Sequence, residues 1–382
     1  MIYVDNAATT PVSESVLNAM LPYFSQEFGN PSSLYAAGRR AKKAIETARE
    51  TVAKCLNARP DEIFFTSGGS ESDNWAIKMS AKKGKKSGKT HIITTEFEHH
   101  AVLHSIRSLQ EEGFSVTLLP VHKDGIVQPD EFQAALKPDT ALVTIMTANN
   151  EIGTIQPIAQ IGAICRDAGV LFHTDAVQAA GILPLDVQAM NVDLLSLSAH
   201  KFHGPKGVGV LYIRKGSGIS AMMDGGAQER GMRAGTENVA GIVGLAVALK
   251  ESCEYREENA SRLSRLRDRL IEGALKIPGS CLNGDSIHRL PGNVNLSFEH
   301  VEAQSLLLLL DQNGICASAG SACTAGSLEP SHVLRAIGLP AELARGSLRL
   351  SLSSQNTEEE INEILRILPT VIQKVRKLST IK

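Results

Sequence analysis

The chain has 382 residues, of which 43% are hydrophobic, and its formal net charge is −2. This length suffices for a sizeable core in two or three domains, and the near-zero charge argues against binding nucleic acid or an anionic membrane through bulk electrostatics. The longest apolar run, residues 306–310, is far too short to span a membrane, and the segment MIYVDNAATTP lacks the features of a secretory signal. We therefore predict a cytoplasmic protein with no direct nucleic-acid or membrane partner.

The first predicted region, from about residue 60 to 215, alternates short apolar runs with helical patterns. The predicted strands, in chain order, are EIFFTS, HIITT, SVTLLP, ALVTIM, VLFHTD, DLLSLS and GVGVLYI. Amphipathic stretches such as HAVLHSIRSLQEEG separate several of them. This alternation predicts an α/β fold with a mostly parallel sheet and helices on both faces.

The pattern changes near residue 245, where a long, charged and helical stretch begins. The short strands NVNLSF and SLRLSL follow, and a final helix is predicted from about Thr357. We predict a large α/β domain of residues 15–255. Residues 1–14 and 256–382 are predicted to form a smaller α+β domain.

Three polar motifs follow predicted strands, where open α/β folds bind ligands. In TSGGSESDN, Gly68, Gly69 and Ser70 would present a helix amino terminus to a phosphate, or form an ordinary turn capped by serine. In HTDAVQ, Asp175 would need a cationic partner, such as a protonated ring nitrogen or an arginine. In SAHKFHGPKG, Lys201 is either a desolvated amine that forms a Schiff base or a lysine that reaches solvent. Together the motifs supply what pyridoxal phosphate needs: a phosphate site, an acid for the pyridine nitrogen and an imine-forming lysine.

Two other motifs suggest competing functions. The segment GKKSGKT, residues 84–90, is similar to a nucleotide-binding P-loop, but its first glycine is misplaced and it precedes a strand. His100 and His104 have the helical spacing of a metal site, yet no zinc-type carboxylate motif accompanies them. We predict neither an ATPase nor a resident metal.

Ordered motifs over nearly the whole chain resemble the NifS/IscS-type cysteine desulfurases, which are fold-type I pyridoxal-phosphate enzymes. The motifs that carry the resemblance are YVDNAATTP, FGNPSS, TSGGSESDN, TEFEHHAV, NNEIGTIQP, HTDAVQ, SAHKFHGPKG, GGAQERGMRAGTENV, GSACTAG and RGSLRLSL. The resemblance implies a mostly parallel seven-stranded sheet in the large domain, and a small domain that carries a catalytic cysteine.

The resemblance also implies roles for individual residues. Lys201 would hold the cofactor as a Schiff base, Asp175 would pair with the ring nitrogen, and His99 would stack on the ring and move protons. Gln178 would bond the ring hydroxyl, Asn150 would contact the ring edge, and Arg349 would clamp the substrate carboxylate. The phosphate ligands implied are Gly69, Ser70, Ser198, His200 and, from the neighbouring subunit of a homodimer, Thr236.

Cys323 is the implied acceptor of sulfur from L-cysteine. Its surroundings, CASAGSACTAGSLEPS, are rich in small residues, a composition that favours a mobile loop. The implied products are L-alanine and a persulfide on Cys323. The sulfur would pass to an iron–sulfur scaffold protein or a tRNA-thiolating enzyme, and Cys323 is expected to ligate an iron–sulfur cluster transiently during transfer.

Two alternatives stay open at this point. One is another fold-type I pyridoxal-phosphate enzyme, such as a selenocysteine lyase or a small-substrate aminotransferase. The other is an inactive binding module, against which the joint presence of Lys201, Asp175, His99 and Cys323 argues. The six cysteines contain no CxxC pair, so we predict free thiols.

Overall fold

The computed structural model describes residues 1–320 and 330–378. The strands of the described chain are β1 (Ile2–Tyr3), β2 (Ile63–Thr66), β3 (His91–Thr95), β4 (Ser115–Leu119), β5 (Thr140–Thr144), β6 (Leu171–Asp175), β7 (Leu194–Ser198), β8 (Gly209–Ile213), β9 (Ser280–Leu282), β10 (Asn293–Phe298), β11 (Ile315–Cys316) and β12 (Ser347–Ser351). All seven strands predicted between residues 60 and 215 are present, as β2 to β8.

The α-helices lie between and around these strands. They are α1 (Glu14–Met20), α2 (Pro22–Ser25), α3 (Ala36–Leu56), α4 (Gly69–Lys86), α5 (His100–Glu111), α6 (Pro129–Ala135), α7 (Ile158–Asp167), α8 (Val239–Glu254), α9 (Arg256–Ala274), α10 (Ala303–Gln312), α11 (His332–Ala336), α12 (Ala341–Arg345) and α13 (Glu358–Leu378). The stretch predicted as one long helical pattern after residue 245 is divided at Tyr255 between α8 and α9. The segment that is similar to a P-loop runs from the end of α4 toward β3, so it does not link a strand to a helix.

The main sheet has seven strands in the order β2-β8-β7-β6-β5-β3-β4. Strand β8 is antiparallel to both of its neighbours, and the other pairs are parallel. Consequently β2, β3, β5, β6 and β7 all end at the same edge of the sheet. The predicted α/β class, with a mostly parallel seven-stranded sheet, is confirmed.

Apolar side chains on alternate strand positions bury both faces of this sheet. Leu195 and Val210 belong to a core that includes residues of α3, α7 and α8, whereas Leu194 and Leu211 pack with Trp75 of α4 on the opposite face. This period of two is what a strand buried on both faces produces.

A second core lies around a three-stranded sheet of order β12-β10-β9. It joins Val4 near the amino terminus to apolar residues of α9, α10 and α13. Strand β1 pairs with β11, so the amino terminus packs with the carboxy-terminal part of the chain. The domain limits at residues 14 and 255 stay predictions. Across the described residues, the search for a helix both long and apolar enough to cross a membrane finds none.

Candidate active site

The shared edge of the main sheet opens into a cleft of about 770 Å³. Its lining includes most of the residues predicted for the site: Gly69, Ser70, His99, Asn150, Asp175, Gln178, Ser198, His200, Lys201 and Arg349. The fold therefore brings together side chains that lie up to 280 positions apart in sequence (349 minus 69). Strand ends supply most of them, as expected for an α/β sheet.

The glycine motif forms one end of the cleft. Helix α4 begins at Gly69, and its N-cap Gly68, at φ 154°, carries no side-chain capping bond. The alternative of a turn capped by serine is therefore wrong. Strand β8 can approach this turn because Gly209 has no side chain: a Cβ there would lie 2.7 Å from Gly68 Cα. The result is an uncapped helix amino terminus beside Ser70, Ser198 and His200, an arrangement that suits a phosphate.

Two buried acids form the floor of the cleft. Asp175, at the end of β6, accepts a bond from the Val177 backbone N–H at 2.9 Å. Burial raises the pKa of Asp175 to about 6, although the bond from Val177 and the charge of Lys201 both act to lower it. Asp73 is 1% exposed, and its pKa is raised well above the usual range by burial and by the charge of Asp175. A cation placed here would stabilise the ionised form of Asp175.

Lys201 projects into the cleft from the polar turn between β7 and β8. Its Nζ donates to the carbonyl oxygens of Ala7 and Ala8, at 2.7 Å each. The amino-terminal segment therefore helps to orient the amine that the sequence analysis singled out. Burial, with the charges of Lys201 and Lys206, lowers the pKa of the neighbouring His200 to about 4.

His99 is the N-cap of α5 and lies on the third side of the cleft. Its Nδ1 accepts the Ala101 N–H at 3.1 Å, which leaves Nε2 as the ring nitrogen available for chemistry. Burial, together with the charge of Lys201, lowers the pKa of His99 to about 4. Because Nδ1 accepts a bond, the neutral ring carries its hydrogen on Nε2, which can donate to a group bound in the cleft.

Arg349 closes the cleft from the three-stranded sheet and is 1% exposed. Its Nη2 donates to Asp5 Oδ1 at 2.8 Å and its Nη1 to the Asn150 carbonyl at 3.0 Å. Its Nε has no hydrogen-bond partner among the described residues. A buried guanidinium held by two partners, with an N–H still unused, suits a carboxylate ligand.

For the three other predicted residues, Gln178, Thr236 and Cys323, the structure says less about the predicted role. Gln178 lines the cleft, and its amide donates to the Ala7 carbonyl at 3.1 Å. Thr236 is exposed and is not among the residues that line the cleft of its own chain. Cys323 lies outside the described residues. The roles given to these three residues stay predictions, as do those of the other predicted site residues.

Sequence reasoning missed three contributors to the site. Asp73 is one helical turn beyond Ser70 in the glycine motif, and its position on the buried face of α4 was the available signal. The sequence carries no signal for the role of Asp5, because its partner Arg349 is 344 residues away. The backbone carbonyl acceptors at residues 7 and 8 have no sequence signature.

One group of three described residues has the proximity that a metal site needs. Atoms of Asp73, His99 and Asp175 lie within 4.8 Å of one another, inside the cleft already described. His100 and His104, whose rings are 5.3 Å apart, are not part of such a group among the described residues.

Comparison with known proteins assigns the chain to a family. The family model described as "Aminotransferase class-V" matches residues 2–364. A protein named cysteine desulfurase IscS from Methanosarcina thermophila is 56% identical over 99% of this chain and 93% of its own length. Another of that name, from Dictyoglomus turgidum, is 50% identical over 100% of this chain and 97% of its own length.

Solved structures give the same result. A structure titled "NifS-like protein" has a TM-score of 0.92 and 41% identity, covering 98% of this chain and 99% of its own. One titled "SspA in complex with cysteine" has a TM-score of 0.83 and 39% identity, covering 94% of this chain and 100% of its own. The chain therefore belongs to the class-V aminotransferase family, in the branch of the cysteine desulfurases.

Proposed function

We propose that the protein is a pyridoxal-phosphate-dependent cysteine desulfurase. It would convert L-cysteine to L-alanine and leave the sulfur as a persulfide on Cys323. The observation that carries the proposal is the placement of Lys201, Asp175 and Arg349 around one cleft. The relatives named cysteine desulfurase, similar over nearly the full chain, support the same reaction.

The cleft fits pyridoxal phosphate at each of its polar ends. The uncapped start of α4 suits the phosphate, and Lys201, which lines the same cleft, would bind the aldehyde carbon. Asp175 is a buried acid whose pKa is raised to about 6 mainly by burial, so a ring nitrogen cation is the partner it needs. His99 would cover one face of the ring, and Gln178 and Asn150 would contact its edge.

The bound cofactor would supply an electron sink for the carbanion formed at the substrate α-carbon. Side chains of the protein would bind the substrate and move the protons. Arg349 would hold the substrate carboxylate, using its unpartnered Nε together with an Nη. Lys201 Nζ would remove the α-proton and return a proton, and the neutral His99, whose Nδ1 accepts the Ala101 N–H, would donate from its Nε2–H.

The sulfur step would use a thiol of the protein. The Cys323 thiolate would attack the sulfur of the bound cysteine, the carbon–sulfur bond would break, and its electron pair would stay with the three-carbon fragment. Protonation of that fragment gives alanine. The balance is L-cysteine plus one protein thiol to L-alanine plus one protein persulfide, with no external oxidant or reductant.

We further propose a homodimer with shared active sites. Exposed large apolar side chains within residues 17–35 support it, because a partner subunit would remove them from water. They are Leu17, Leu21, Phe24, Phe28, Leu34 and Tyr35, with exposures from 48% to 90%. The exposed Thr236 would reach the partner's cofactor phosphate.

We also propose that the sulfur passes from Cys323 to an iron–sulfur scaffold protein or a tRNA-thiolating enzyme. The location of the protein would be cytoplasmic.

Replacement of Cys323 tests the function. Cys323→Ala is expected to keep the visible absorption band of the bound cofactor and to lose sulfur release from cysteine. Cys281→Ala, at a half-buried cysteine of β9, is the matched control and should behave like the wild type. Sulfur release that survives Cys323→Ala unchanged would contradict the role given to Cys323 and favour a lyase. Absence of the visible band from the wild type would favour the inactive binding module.

A further inference from the structure

A second cavity lies next to the active-site cleft, between the two cores. Its volume is about 790 Å³, comparable with that of the cleft. Of the described residues that line it, Ala7, Gln178 and Lys201 alone also line the cleft. Because the carbonyls of Ala7 and Ala8 hold Lys201 Nζ, these residues form a partition between the two spaces. The cavity is therefore a separate space that shares one wall with the active site.

The body of the cavity is apolar and belongs to both cores. Phe202 is part of the core of the main sheet, whereas Leu263 and Leu352 are part of the core of the three-stranded sheet. All three side chains are buried, as is Leu290 beside them in the lining. A molecule bound here would contact both cores, and its apolar part would be removed from water.

The charged lining of the cavity is cationic. Lys201 and Arg256 are the charged side chains among the described lining residues, and no acidic residue is among them. Burial lowers the pKa of His203, which also lines the cavity, so its ring is neutral at pH 7. Lys201 already donates to two carbonyl oxygens in the partition. Arg256 is therefore the group that would bind an anion here, and the lack of an acid in the lining favours one.

Arg256 has a position that an anion would stabilise. It is the first residue of α9, whose N-cap Tyr255 makes no side-chain capping bond. A cation there lies beside the positive end of the helix dipole, and a bound anion would offset both charges. The acids of the first turn, Glu257 and Glu258, are exposed and do not line the cavity. The guanidinium is hydrogen-bonded to the Cys253 side chain, which leaves N–H groups for a carboxylate.

One buried polar atom of the lining has no partner among the described residues. Asn6 is 7% exposed, and its Nδ2 donates to the Ser351 carbonyl at 2.8 Å and to Asn356 Oδ1 at 3.5 Å. Because both neighbours of Nδ2 are oxygens, the orientation of the amide is fixed. The unpartnered atom is therefore the acceptor, Oδ1. An N–H or O–H of a bound molecule would satisfy it.

We propose that this cavity is a second ligand site, for a small carboxylic acid that has an apolar side chain and a hydrogen-bond donor next to the carboxylate. Arg256 would bind the carboxylate, Asn6 Oδ1 would accept from the donor, and Phe202 and Leu263 would contact the apolar side chain. The inference goes beyond the proposed function, which uses neither Arg256 nor Asn6. Because the ligand would contact both cores, it would stabilise their packing.

Isothermal titration calorimetry of the holoenzyme tests the site with compounds that share one apolar body. α-Hydroxyisocaproate has the carboxylate and the donor, isocaproate lacks the donor, and isohexanol lacks the charge. None has an amine that could react with the cofactor. We expect the affinity to fall about fivefold on loss of the donor, and at least about 10-fold further on loss of the charge. Equal affinities for the whole series, or no binding of α-hydroxyisocaproate up to about 10 mM, would overturn the proposal.

Substitutions in the lining locate the binding. Arg256→Gln should weaken α-hydroxyisocaproate binding at least about 10-fold. Ala260→Leu, which fills part of the cavity without a change of charge, should also weaken it. Arg265→Gln is the matched control, because this exposed arginine lies on the same helix and does not line the cavity. Wild-type affinity in both lining variants would overturn the proposal.

Arg349→Gln separates the cavity from the active site, where Arg349 would bind a carboxylate under the proposed function. The titrations are therefore repeated in Arg349→Gln, and binding to the cavity should persist there. Binding that is lost in Arg349→Gln and kept in Arg256→Gln would place the ligand in the active-site cleft. That result would overturn this inference and leave the proposed function intact, whereas sulfur release that survives Cys323→Ala bears on the proposed function alone.

Discussion

Two walls of the same cleft are built in different ways. The cofactor wall (Ser70, Asp175, Ser198, His200 and Lys201) comes from strand ends and turns of one sheet, in short contiguous motifs. The substrate wall (Asn150 and Arg349, with Asp5 and Ser318 behind them) comes from four separate segments, joined by hydrogen bonds between residues up to 344 positions apart. Under the proposed function, the first wall would hold the cofactor and the second would bind the substrate carboxylate. Substitutions in the two walls should therefore change different measured properties, as the following predictions set out.

The largest effect is expected on the cofactor wall. Lys201→Ala removes the amine that would bind the cofactor and move the α-proton, so alanine formation should fall by at least about 10³-fold. Borohydride reduction followed by peptide mapping should label Lys201 in the wild type and leave the variant unlabelled. Lys206→Ala, in the same turn, is the control for loss of a lysine and should keep the label at position 201. A label on any other amine of the wild type would contradict the assignment.

The next effect belongs to the substrate wall. Arg349→Gln removes the charged partner of the substrate carboxylate and leaves Asp5 without its cation, so kcat/KM for cysteine should fall roughly 10²- to 10³-fold, mainly through KM. The visible band of the cofactor should persist, unlike in Lys201→Ala. Arg345→Gln, at an exposed arginine on α12, is the matched control. An unchanged KM would show that Arg349 does not bind the carboxylate.

The third prediction concerns pH and the cofactor wall. Because burial holds the pKa of His99 at about 4 when folded, the unfolded chain binds its proton first as the pH falls below about 6.5. The wild-type apo-protein should therefore lose stability relative to His99→Gln between pH 6.5 and 4, by up to about 3 kcal/mol. Urea denaturation at pH 7.5 and 4.5 measures the difference. His122→Gln reports the effect of removing an exposed histidine, and equal pH slopes for wild type and His99→Gln would contradict the assignment.

The smallest effect tests how much a single hydrogen bond behind Arg349 contributes to kcat/KM. Ser318→Ala removes one hydroxyl bond to Asp5 but keeps the backbone pairing with Arg349, so kcat/KM should fall by less than about fivefold. Steady-state kinetics with cysteine measures it. A loss as large as that of Arg349→Gln would mean that Asp5 is oriented mainly by Ser318 rather than by the arginine.

The cofactor wall could be predicted because its signals are local. Apolar runs with polar ends mark strands, and Gly68, Asp175 and Lys201 each lie at the end of a strand or within three residues of it. Parallel strands bring their ends to one edge, so the motifs had to meet there. Asp73 could not be placed from local signals alone, because its role depends on which face of α4 packs against the sheet.

The amino-acid sequence by itself determined the α/β class, the strands of the main sheet and the position of Ser70, Asp175 and Lys201 near strand ends, since periodicity and turn chemistry act over a few residues; Ser198 and His200 were implied by the family resemblance. Only the tertiary structure decided that Asp5 holds Arg349 and that the carbonyls of Ala7 and Ala8 receive Lys201. Those contacts join segments whose separation in sequence carries no pattern, and they form only when the two cores pack together.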